Sequence, residues 1–360
     1  LKSKQTMKNL IIKVENNVGQ ITLNRPNALN ALTYEMILQI EETLDNWLSE
    51  NIDLVIIDAV GEKAFCAGGD ITDLYQSGLE KKFSYGQQFW LDEYRLNEKL
   101  FNYPKPIVSF MQGFTMGGGV GLGCHVSHRI VCESSRIAMP ECAIGLVPDV
   151  GGSYILAKAK NFLGEYLATT GFRMDSSDAI MVGFADVYVP NEYWTELKVE
   201  LTKTRDISIL NNYKRTPEEG PLSKNLGVIE YFFSKSNLLE VLDSLHKDNT
   251  SFAKKTIELI ERNSPLSVLC TFDIIRKLRA TDDLTIRKSL AYEYRYTYRA
   301  LEFGDFIEGV RAQVIDKDRN PKWKNKHIRN VPQLNIDKML EILPKAVNNW
   351  ENCVMKIGVL

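Results

Sequence analysis

Short apolar and β-branched runs near the start of the chain predict a hairpin followed by a helix and a buried strand. Residues 10–14 and 19–23 are such runs, and the two asparagines between them favour a tight turn. Apolar residues then recur at helical spacing over 29–48. Residues 53–60 have too few polar positions to face water, which is typical of a strand buried on both faces. The pattern therefore opens as strand, strand, helix, strand.

Two later segments place glycines where a strand passes into a helix. Residues 64–70 read AFCAGGD and precede a helix predicted from Ile71, with Asp70 as its N-cap. Residues 113–123 read GFTMGGGVGLG and follow a buried strand at 107–111. Two such turns can direct two backbone N–H groups at one oxygen, which would form an oxyanion hole. The glycines fit neither the dinucleotide fingerprint nor a P-loop, because the required third glycine and the P-loop lysine are missing.

The rest of the chain passes from mixed strands and helices to helices almost alone. Strands are predicted around 129–132, 136–139 and 185–189, with helices at 84–102, 161–170 and 175–182; further helices are predicted at 192–203, 225–233, 236–246, 249–262, 265–279 and 283–302. The pattern predicts an α/β (α+β) protein. We expect a core that carries the active site at 7–200, and a mainly helical region at 201–360 that covers the core or mediates assembly.

Composition and charge exclude several classes of function. The chain is 44% hydrophobic and 25% charged, which is typical of a soluble globular protein, and its net charge of −2 argues against nucleic-acid binding. Its six cysteines are scattered without a C-x-x-C pair, which favours reduced thiols in a cytosol-like compartment. The most apolar window, 106–124, is interrupted by six glycines, so no membrane span is expected. No apolar segment follows the charged first residues, so no secretory signal is expected.

Two carboxylates lie close together in an otherwise apolar segment. Glu141 is surrounded by apolar neighbours, and desolvation there would raise its pKa and suit it to proton transfer. Asp149 follows eight residues later and could instead be a simple helix cap; Glu93 could be an exposed helical position. His125 and His128 point to opposite faces of a predicted strand, so no metal site is expected.

Four motifs together resemble the crotonase, or enoyl-CoA hydratase/isomerase, superfamily. They are LNRPNALNAL at 23–32, KAFCAGGDI at 63–71, GFTMGGGVGL at 113–122 and AMPECAIGLVPDVGG at 138–152. Segments 263–268 and 305–323 further resemble its 3-hydroxyisobutyryl-CoA hydrolase branch, which acts in valine degradation. The resemblance implies a crotonase-like spiral of strand-strand-helix turns with a helical C-terminal region. It also implies an acyl-CoA substrate and no cofactor, since coenzyme A is part of the substrate.

The resemblance also implies which residues form the site. The oxyanion-hole N–H groups match Ala67 and Gly118, and Gly118 thereby also belongs to the substrate-binding set. The backbone at Lys63 and Ala64, together with Ala67, matches the place where the family binds coenzyme A. Glu93 matches a substrate-binding position of the hydrolase branch.

One departure from the hydratase pattern bears on the reaction. Hydratases of the superfamily use two glutamates, and the first of these falls at Gly121, which has no side chain. The second is kept as Glu141, and Asp149 stands where hydratases commonly have glycine. We therefore expect hydrolysis, with Glu141 and Asp149 as catalytic and substrate-binding residues. Glu141 either attacks the thioester or activates a water, and Asp149 orients it and assists proton delivery.

Other functions remain open at this point. A hydratase or isomerase on the same fold is the nearest alternative, and a non-catalytic subunit of a larger assembly is another. The superfamily often forms trimers or hexamers, so a homo-oligomer is expected. The compartment would be the cytoplasm in a bacterium and the mitochondrial matrix in a eukaryote.

Overall fold

The first two strands form the predicted hairpin. In the computed structural model, which describes residues 8–344, β1 (Leu10–Glu15) pairs antiparallel with β2 (Val18–Leu23). Asn16 and Asn17 turn the chain with φ angles of 49° and 62°. Two consecutive left-handed residues match the twist of the flanking strands, and asparagine tolerates this conformation better than most residues.

In the part of the chain that the structure describes, seven further strands complete two sheets. They are β3 (Leu54–Ala59), β4 (Ala64–Cys66), β5 (Ile107–Met111), β6 (Phe114–Met116), β7 (His128–Val131), β8 (Arg136–Ala138) and β9 (Val187–Tyr188). The larger sheet has the order β1-β2-β3-β5-β7-β9 and is parallel except for the first hairpin; β4, β6 and β8 form the smaller one. Every residue of β5 is buried, as a parallel strand covered on both faces requires.

Sixteen α-helices lie within residues 8–344; no helix was predicted at 118–123, 210–213 or 333–340. They are α1 (Tyr34–Ser49), α2 (Thr72–Leu79), α3 (Phe83–Phe101), α4 (Gly118–Gly123), α5 (Gly152–Lys158), α6 (Leu163–Thr170), α7 (Ser176–Val182), α8 (Trp194–Thr204), α9 (Leu210–Tyr213), α10 (Pro221–Phe233), α11 (Leu238–His246), α12 (Ser251–Glu261), α13 (Pro265–Arg279), α14 (Ile286–Phe303), α15 (Phe306–Val310) and α16 (Gln333–Leu340).

The first helix begins five residues later than predicted. The Thr33 side chain accepts the N–H of Met36 and caps α1, while Leu29 and Asn30 have positive φ angles that no helix contains. The apolar spacing over 29–33 thus belongs to a turn. Apolar periodicity alone could not distinguish this turn from the first turn of a helix, because a buried turn also places apolar residues a few positions apart.

Asp70, which was predicted to cap a helix, and Asp149, for which a cap was the alternative to a catalytic role, do not cap their helices. The N-cap of α2 is Ile71, and the carboxylate of Asp70 instead pairs with Arg25 at 2.9 Å. The N-cap of α5 is Gly151, and Asp149 offers only its backbone carbonyl, which accepts the N–H of Gly152 at 2.7 Å. The Asp149 side chain is therefore available for another contact.

The chain forms two compact units whose segments alternate along the sequence. Within the described residues, the first contains 8–70, 99–137 and 173–223, and the second contains 71–98, 138–172 and 224–344. Both sheets belong to the first unit apart from the last residue of β8, and the long C-terminal helices belong to the second. The predicted division at residue 200 follows the order of elements, not this interleaving, and it stays a prediction. Within residues 8–344, no helix combines the length and apolarity needed to cross a membrane.

Candidate active site

Four buried carboxyl groups lie together in the second unit. Glu93 on α3, Glu141 and Asp149 are each 4% exposed, and Glu293 on α14 is fully buried. The charge of Asp149 acts on each of the other three. The structure thus brings together the three carboxylates singled out in the sequence and adds Glu293, which was missed. Within residues 8–344, no three or more His, Cys, Asp or Glu side chains are arranged to hold a metal ion.

The turn that carries Glu141 is held rigidly by its surroundings. Glu141 is the first residue of a 3₁₀ turn, Glu141–Ile144, which ends at Gly145 with φ +75°. A Cβ at Gly145 would lie 2.4 Å from the backbone carbon of Asp305, so only glycine fits there. The N–H of Ser264 donates to the Cys142 carbonyl at 3.0 Å. These contacts fix where the Glu141 side chain begins.

The loop that carries Asp149 is held from two helices. The Tyr94 hydroxyl on α3 donates to Oδ2 of Asp149 at 2.8 Å. Glu293 on α14 accepts the N–H of Gly151 at 2.9 Å, the N–H of Ser153 at 3.1 Å and the Ser153 hydroxyl. Both ends of the loop are therefore bonded to side chains distant in sequence.

Burial raises the pKa values of Asp149 and Glu293, the two carboxyl groups with more hydrogen bonds, to near neutral pH. It raises the pKa of Asp149 to about 7, although the hydrogen bond from Tyr94 favours the ionised form and opposes the rise. It raises the pKa of Glu293 to about 8 against the opposing hydrogen bonds from Ser153 and Gly151. Both groups can therefore exchange a proton near physiological pH.

Glu93 and Glu141 have fewer hydrogen bonds to offset their burial. Burial, followed by the charge of Asp149, raises the pKa of both groups well above the ordinary value for glutamate. Among the described residues, Oε2 of Glu141 is a buried side-chain oxygen without a hydrogen-bond partner. Neighbouring carboxyls that cannot all ionise share protons, so this cluster can hold a carboxylate beside a carboxylic acid.

In the first glycine turn, residues 67–69, the N–H group of Ala67 does not have the role that was predicted for it. The N–H of Ala67 donates to the Leu29 carbonyl at 3.0 Å, so this predicted oxyanion donor is already occupied. The Gly68 carbonyl accepts the N–H of Leu32, and the N–H of Asp70 donates back to the Leu32 carbonyl. Leu32 and Gly69 thus form a parallel β-bridge. In such a bridge Gly69, which lies between Gly68 and Asp70, directs its own N–H away from Leu32. The geometry therefore favours Gly69 over Ala67 as the donor.

The second glycine turn packs closely against the end of β4. Gly118 is the first residue of α4, and a Cβ at Gly119 would lie 2.1 Å from the carbonyl oxygen of Cys66. The two turns are therefore direct neighbours in the first unit. Gly121 is buried within α4, where no side chain is available for acid–base work.

The residues expected to bind coenzyme A lie at the start of β4. Lys63 is exposed and its carbonyl accepts the N–H of Phe114 at 3.0 Å, while the Ala64 carbonyl accepts from the Asn30 amide at 2.9 Å. Both carbonyls are thus used within the fold, and the coenzyme A role of Lys63, Ala64 and Ala67 stays a prediction.

Comparison with known proteins identifies the family. The sequence model of the enoyl-CoA hydratase/isomerase family matches residues 18–340. The chain belongs to this family. A 3-hydroxyisobutyryl-CoA hydrolase, mitochondrial, from Danio rerio is 39% identical over 90% of this chain and 87% of its own length. The Homo sapiens protein of the same name is 38% identical over 89% of this chain and 85% of its own length.

Solved structures of the enoyl-CoA hydratase/isomerase family confirm the predicted crotonase-like fold. An enoyl-CoA hydratase from Rhodobacter sphaeroides superposes with a TM-score of 0.89 at 44% identity, covering 93% of this chain and 98% of that one. A carnitinyl-CoA dehydratase from Mycobacterium thermoresistibile gives the same TM-score at 33% identity, covering 94% and 98%. The names of these relatives differ in the reaction, so likeness by itself does not choose between hydrolysis and hydration.

Three residues of the candidate active site were not identified from the sequence: Tyr94, Glu293 and Thr297. Glu293 left a readable signal, because it interrupts the apolar stripe that Ile286 and Leu290 begin on α14, and a lone acid on a buried face needs a partner. Tyr94 and Thr297 left none, since a tyrosine or threonine on a helix face is equally compatible with ordinary packing.

Proposed function

We propose that the protein is an enzyme that hydrolyses coenzyme A thioesters, with 3-hydroxyisobutyryl-CoA as substrate and 3-hydroxyisobutyrate and coenzyme A as products. The observation that carries this proposal is the buried pair of Glu141 and Asp149, combined with Gly121 in place of a second acid on α4. A hydratase needs enzyme side chains that provide acid–base catalysis at both carbons of the substrate's double bond. A thioesterase needs a carboxylate and a proton source at a single carbonyl.

Glu141 and Asp149 divide the chemistry between them in the proposed reaction. In one route, Glu141 passes its proton to the Asp149 carboxylate and attacks the thioester carbon, the carbon–sulfur bond breaks, and Asp149 gives that proton to the leaving thiolate. Asp149 then removes a proton from water, which hydrolyses the mixed anhydride and frees Glu141. In the other route, Glu141 as a carboxylate takes a proton from a water that attacks the thioester carbon, the carbon–sulfur bond breaks, and Glu141 returns that proton to the leaving thiolate. Both routes leave an acid, free coenzyme A and an unchanged enzyme.

Backbone N–H groups of Gly69 and Gly118 would hold the thioester oxygen as it gains negative charge. We assign Gly69 in place of Ala67 because the Ala67 N–H already bonds to Leu29. One such donor can lower the barrier by about 3 kcal/mol when it is aligned in advance.

Glu93 would select a substrate that carries a hydroxyl group. Its burial and its proximity to Asp149 raise its pKa well above the ordinary value, so it can remain a neutral carboxylic acid. A neutral buried acid both donates and accepts a hydrogen bond, as a hydroxyl does. An acyl chain without a hydroxyl would leave it unsatisfied, at a cost of about 1–3 kcal/mol.

Release of free thiol from a panel of acyl-CoAs tests this function. We expect 3-hydroxyisobutyryl-CoA to be cleaved faster than isobutyryl-CoA, which lacks only the hydroxyl, and crotonyl-CoA to gain no water. Hydration of crotonyl-CoA without thiol release would show a hydratase instead. No reaction with any thioester would favour a non-catalytic subunit.

A single turnover in ¹⁸O-labelled water separates the two routes. Hydrolysis of an anhydride at the enzyme's own carboxyl would place ¹⁸O in the peptide that contains Glu141, as mass spectrometry of a digest would show. Label in the product acid alone supports direct attack by water or hydrolysis at the substrate carbonyl, and single-turnover trapping with hydroxylamine then distinguishes these. The proposed reaction needs no cofactor, so prior treatment with a chelator should leave the rate unchanged.

Assembly and compartment belong to the same proposal. We expect a trimer or hexamer by light scattering, without nucleic acid or membrane as a partner. The relatives from Danio rerio and Homo sapiens are mitochondrial proteins by name. A eukaryotic chain would accordingly work in the mitochondrial matrix, and a bacterial one in the cytoplasm.

A further inference from the structure

A buried chain of hydroxyl groups leads away from Asp149. The phenol oxygen of Tyr94 lies 2.8 Å from Asp149 Oδ2 and 3.2 Å from Thr297 Oγ1. Thr297 Oγ1 lies 3.4 Å from the backbone carbonyl of Glu293, one helical turn earlier on α14. Tyr94 and Thr297 are both fully buried, so water does not compete for these bonds.

The direction of these bonds follows from counting protons. A phenol has a single proton, so Tyr94 can donate it either to Asp149 or to Thr297. The carboxyl oxygen of Asp149 is the stronger and nearer acceptor and takes it. Thr297 donates its own proton to the Glu293 carbonyl, so its Oγ1, at 3.2 Å, is the more distant of the two acceptors that face the phenol proton. Burial, with the charges of Asp149 and Glu293, raises the pKa of Tyr94 well above its ordinary value, so the phenol keeps its proton at every pH of interest.

We propose that Tyr94, in contact with Thr297, is a positioning residue that reserves Oδ2 of Asp149 as an acceptor and keeps the transferable proton of Asp149 on Oδ1. This inference rests on the proposed function, in which Asp149 gives a proton to the leaving thiolate and takes one from water. An oxygen that accepts from a fixed phenol cannot carry a proton pointing the same way. The carboxyl therefore exchanges its proton at one defined atom and cannot rotate between turnovers.

The other titratable groups that interact with Asp149 are carboxyl groups. Glu93 from α3, Glu141 from its 3₁₀ turn and Glu293 from α14 all interact with Asp149 by charge. Burial opposes the ionisation of Asp149, whereas the Tyr94 hydrogen bond favours it. Loss of the phenol should therefore make Asp149 a weaker acid.

The test combines Tyr94→Phe, Thr297→Val and the double variant, with Tyr294→Phe as the matched control. Tyr294 lies beside Tyr94, with ring centroids 6.2 Å apart, but its hydroxyl donates to the Gln87 carbonyl at 3.1 Å. We expect Tyr94→Phe to lower kcat roughly tenfold with little change in KM, as loss of a charge-assisted bond would. The alkaline limb of the pH profile should move to higher pH. The control should keep the wild-type profile.

The double variant distinguishes a connected chain from two independent packing defects. If Thr297 acts through Tyr94, Thr297→Val should have a smaller effect in wild type and none beyond that of Tyr94→Phe in the double variant. Additive losses, or a fall in rate that is uniform over all pH, would overturn the proposal.

A measurement without substrate separates this inference from the proposed function. The ¹³C resonance of the Asp149 carboxyl, assigned by its absence in Asp149→Asn, reports its titration directly. A titration at higher pH in Tyr94→Phe supports the Tyr94 bond even if no thioester is cleaved, and an unchanged titration refutes it even if the enzyme is active.

Discussion

The carboxyl group of Glu293 accepts the backbone N–H of Gly151, 142 residues earlier in the chain, at 2.9 Å. It also accepts the N–H of Ser153, so one buried side chain satisfies two donors at the start of α5. Helix starts leave such N–H groups without partners inside the helix, and burying them unbonded is costly. Glu293 thus fixes the loop that carries Asp149.

Removing Glu293 should destabilise the protein through those donors. Glu293→Ala leaves two buried N–H groups unbonded, and we expect a loss of about 3 kcal/mol in the free energy of unfolding. Glu293→Gln keeps one acceptor oxygen and should lose less. Urea denaturation measures both, with Glu302→Ala as a control at an exposed position of the same helix. Equal stability of Glu293→Ala and the control would contradict this role.

Replacing Glu141 by glutamine should remove thioester hydrolysis while the fold survives. The amide has almost the same shape but is neither a nucleophile nor a base, so we expect kcat to fall by at least about a thousandfold. Circular dichroism should match the wild type. Glu192→Gln changes an exposed glutamate in the same way and should keep full activity. Near-normal turnover by Glu141→Gln would refute the assignment.

Stability should depend on pH through Asp149. Its pKa is raised from 3.8 in the unfolded chain to about 7 in the folded protein, so folding favours the protonated form. The stability that this form contributes is complete below pH 4 and is lost as the pH rises through 7. Each pKa unit corresponds to about 1.4 kcal/mol.

Asp149→Asn removes this dependence because an amide does not ionise. We therefore expect the variant to gain in melting temperature over wild type at pH 8 more than at pH 5, while it loses activity. Asp282→Asn, at an exposed position, should show no such difference. A gain that is the same at both pH values would contradict the raised pKa.

A methyl group at Gly119 should damage the proposed oxyanion site. The new Cβ would lie 2.1 Å from the Cys66 carbonyl oxygen, so Gly119→Ala must push the two glycine turns apart. We expect a loss of about 1–3 kcal/mol in stability and at least a tenfold fall in kcat.

Gly227→Ala provides the opposite control on α10. A Cβ at Gly227 meets nothing within 4 Å, so alanine should stabilise the helix by about 0.5–1 kcal/mol and leave kcat unchanged. If both alanine variants behaved alike, the close approach at Gly119 would have no functional meaning.

The elements of this fold could be predicted from the sequence because they depend on local patterns. The asparagine pair marks the first hairpin, the buried strands are continuous apolar runs, and the helices follow apolar spacing. Glu141 could also be found, since an acid in an apolar segment must be buried. Its spacing to Asp149 is equally visible along the chain.

Only the tertiary structure decided which groups act on these residues. From the sequence, Asp149 is compatible with a helix cap, but in the structure its side chain accepts a hydrogen bond from Tyr94. From the sequence, Ala67 is compatible with an oxyanion donor, but in the structure its N–H donates to the Leu29 carbonyl. Glu293 reaches its partners across 142 residues. Hydrogen bonds of this kind join backbone and side chains that are distant in sequence, and no periodicity encodes them. Their geometry follows from packing, because burial removes water and leaves each polar group only the partners that the fold supplies.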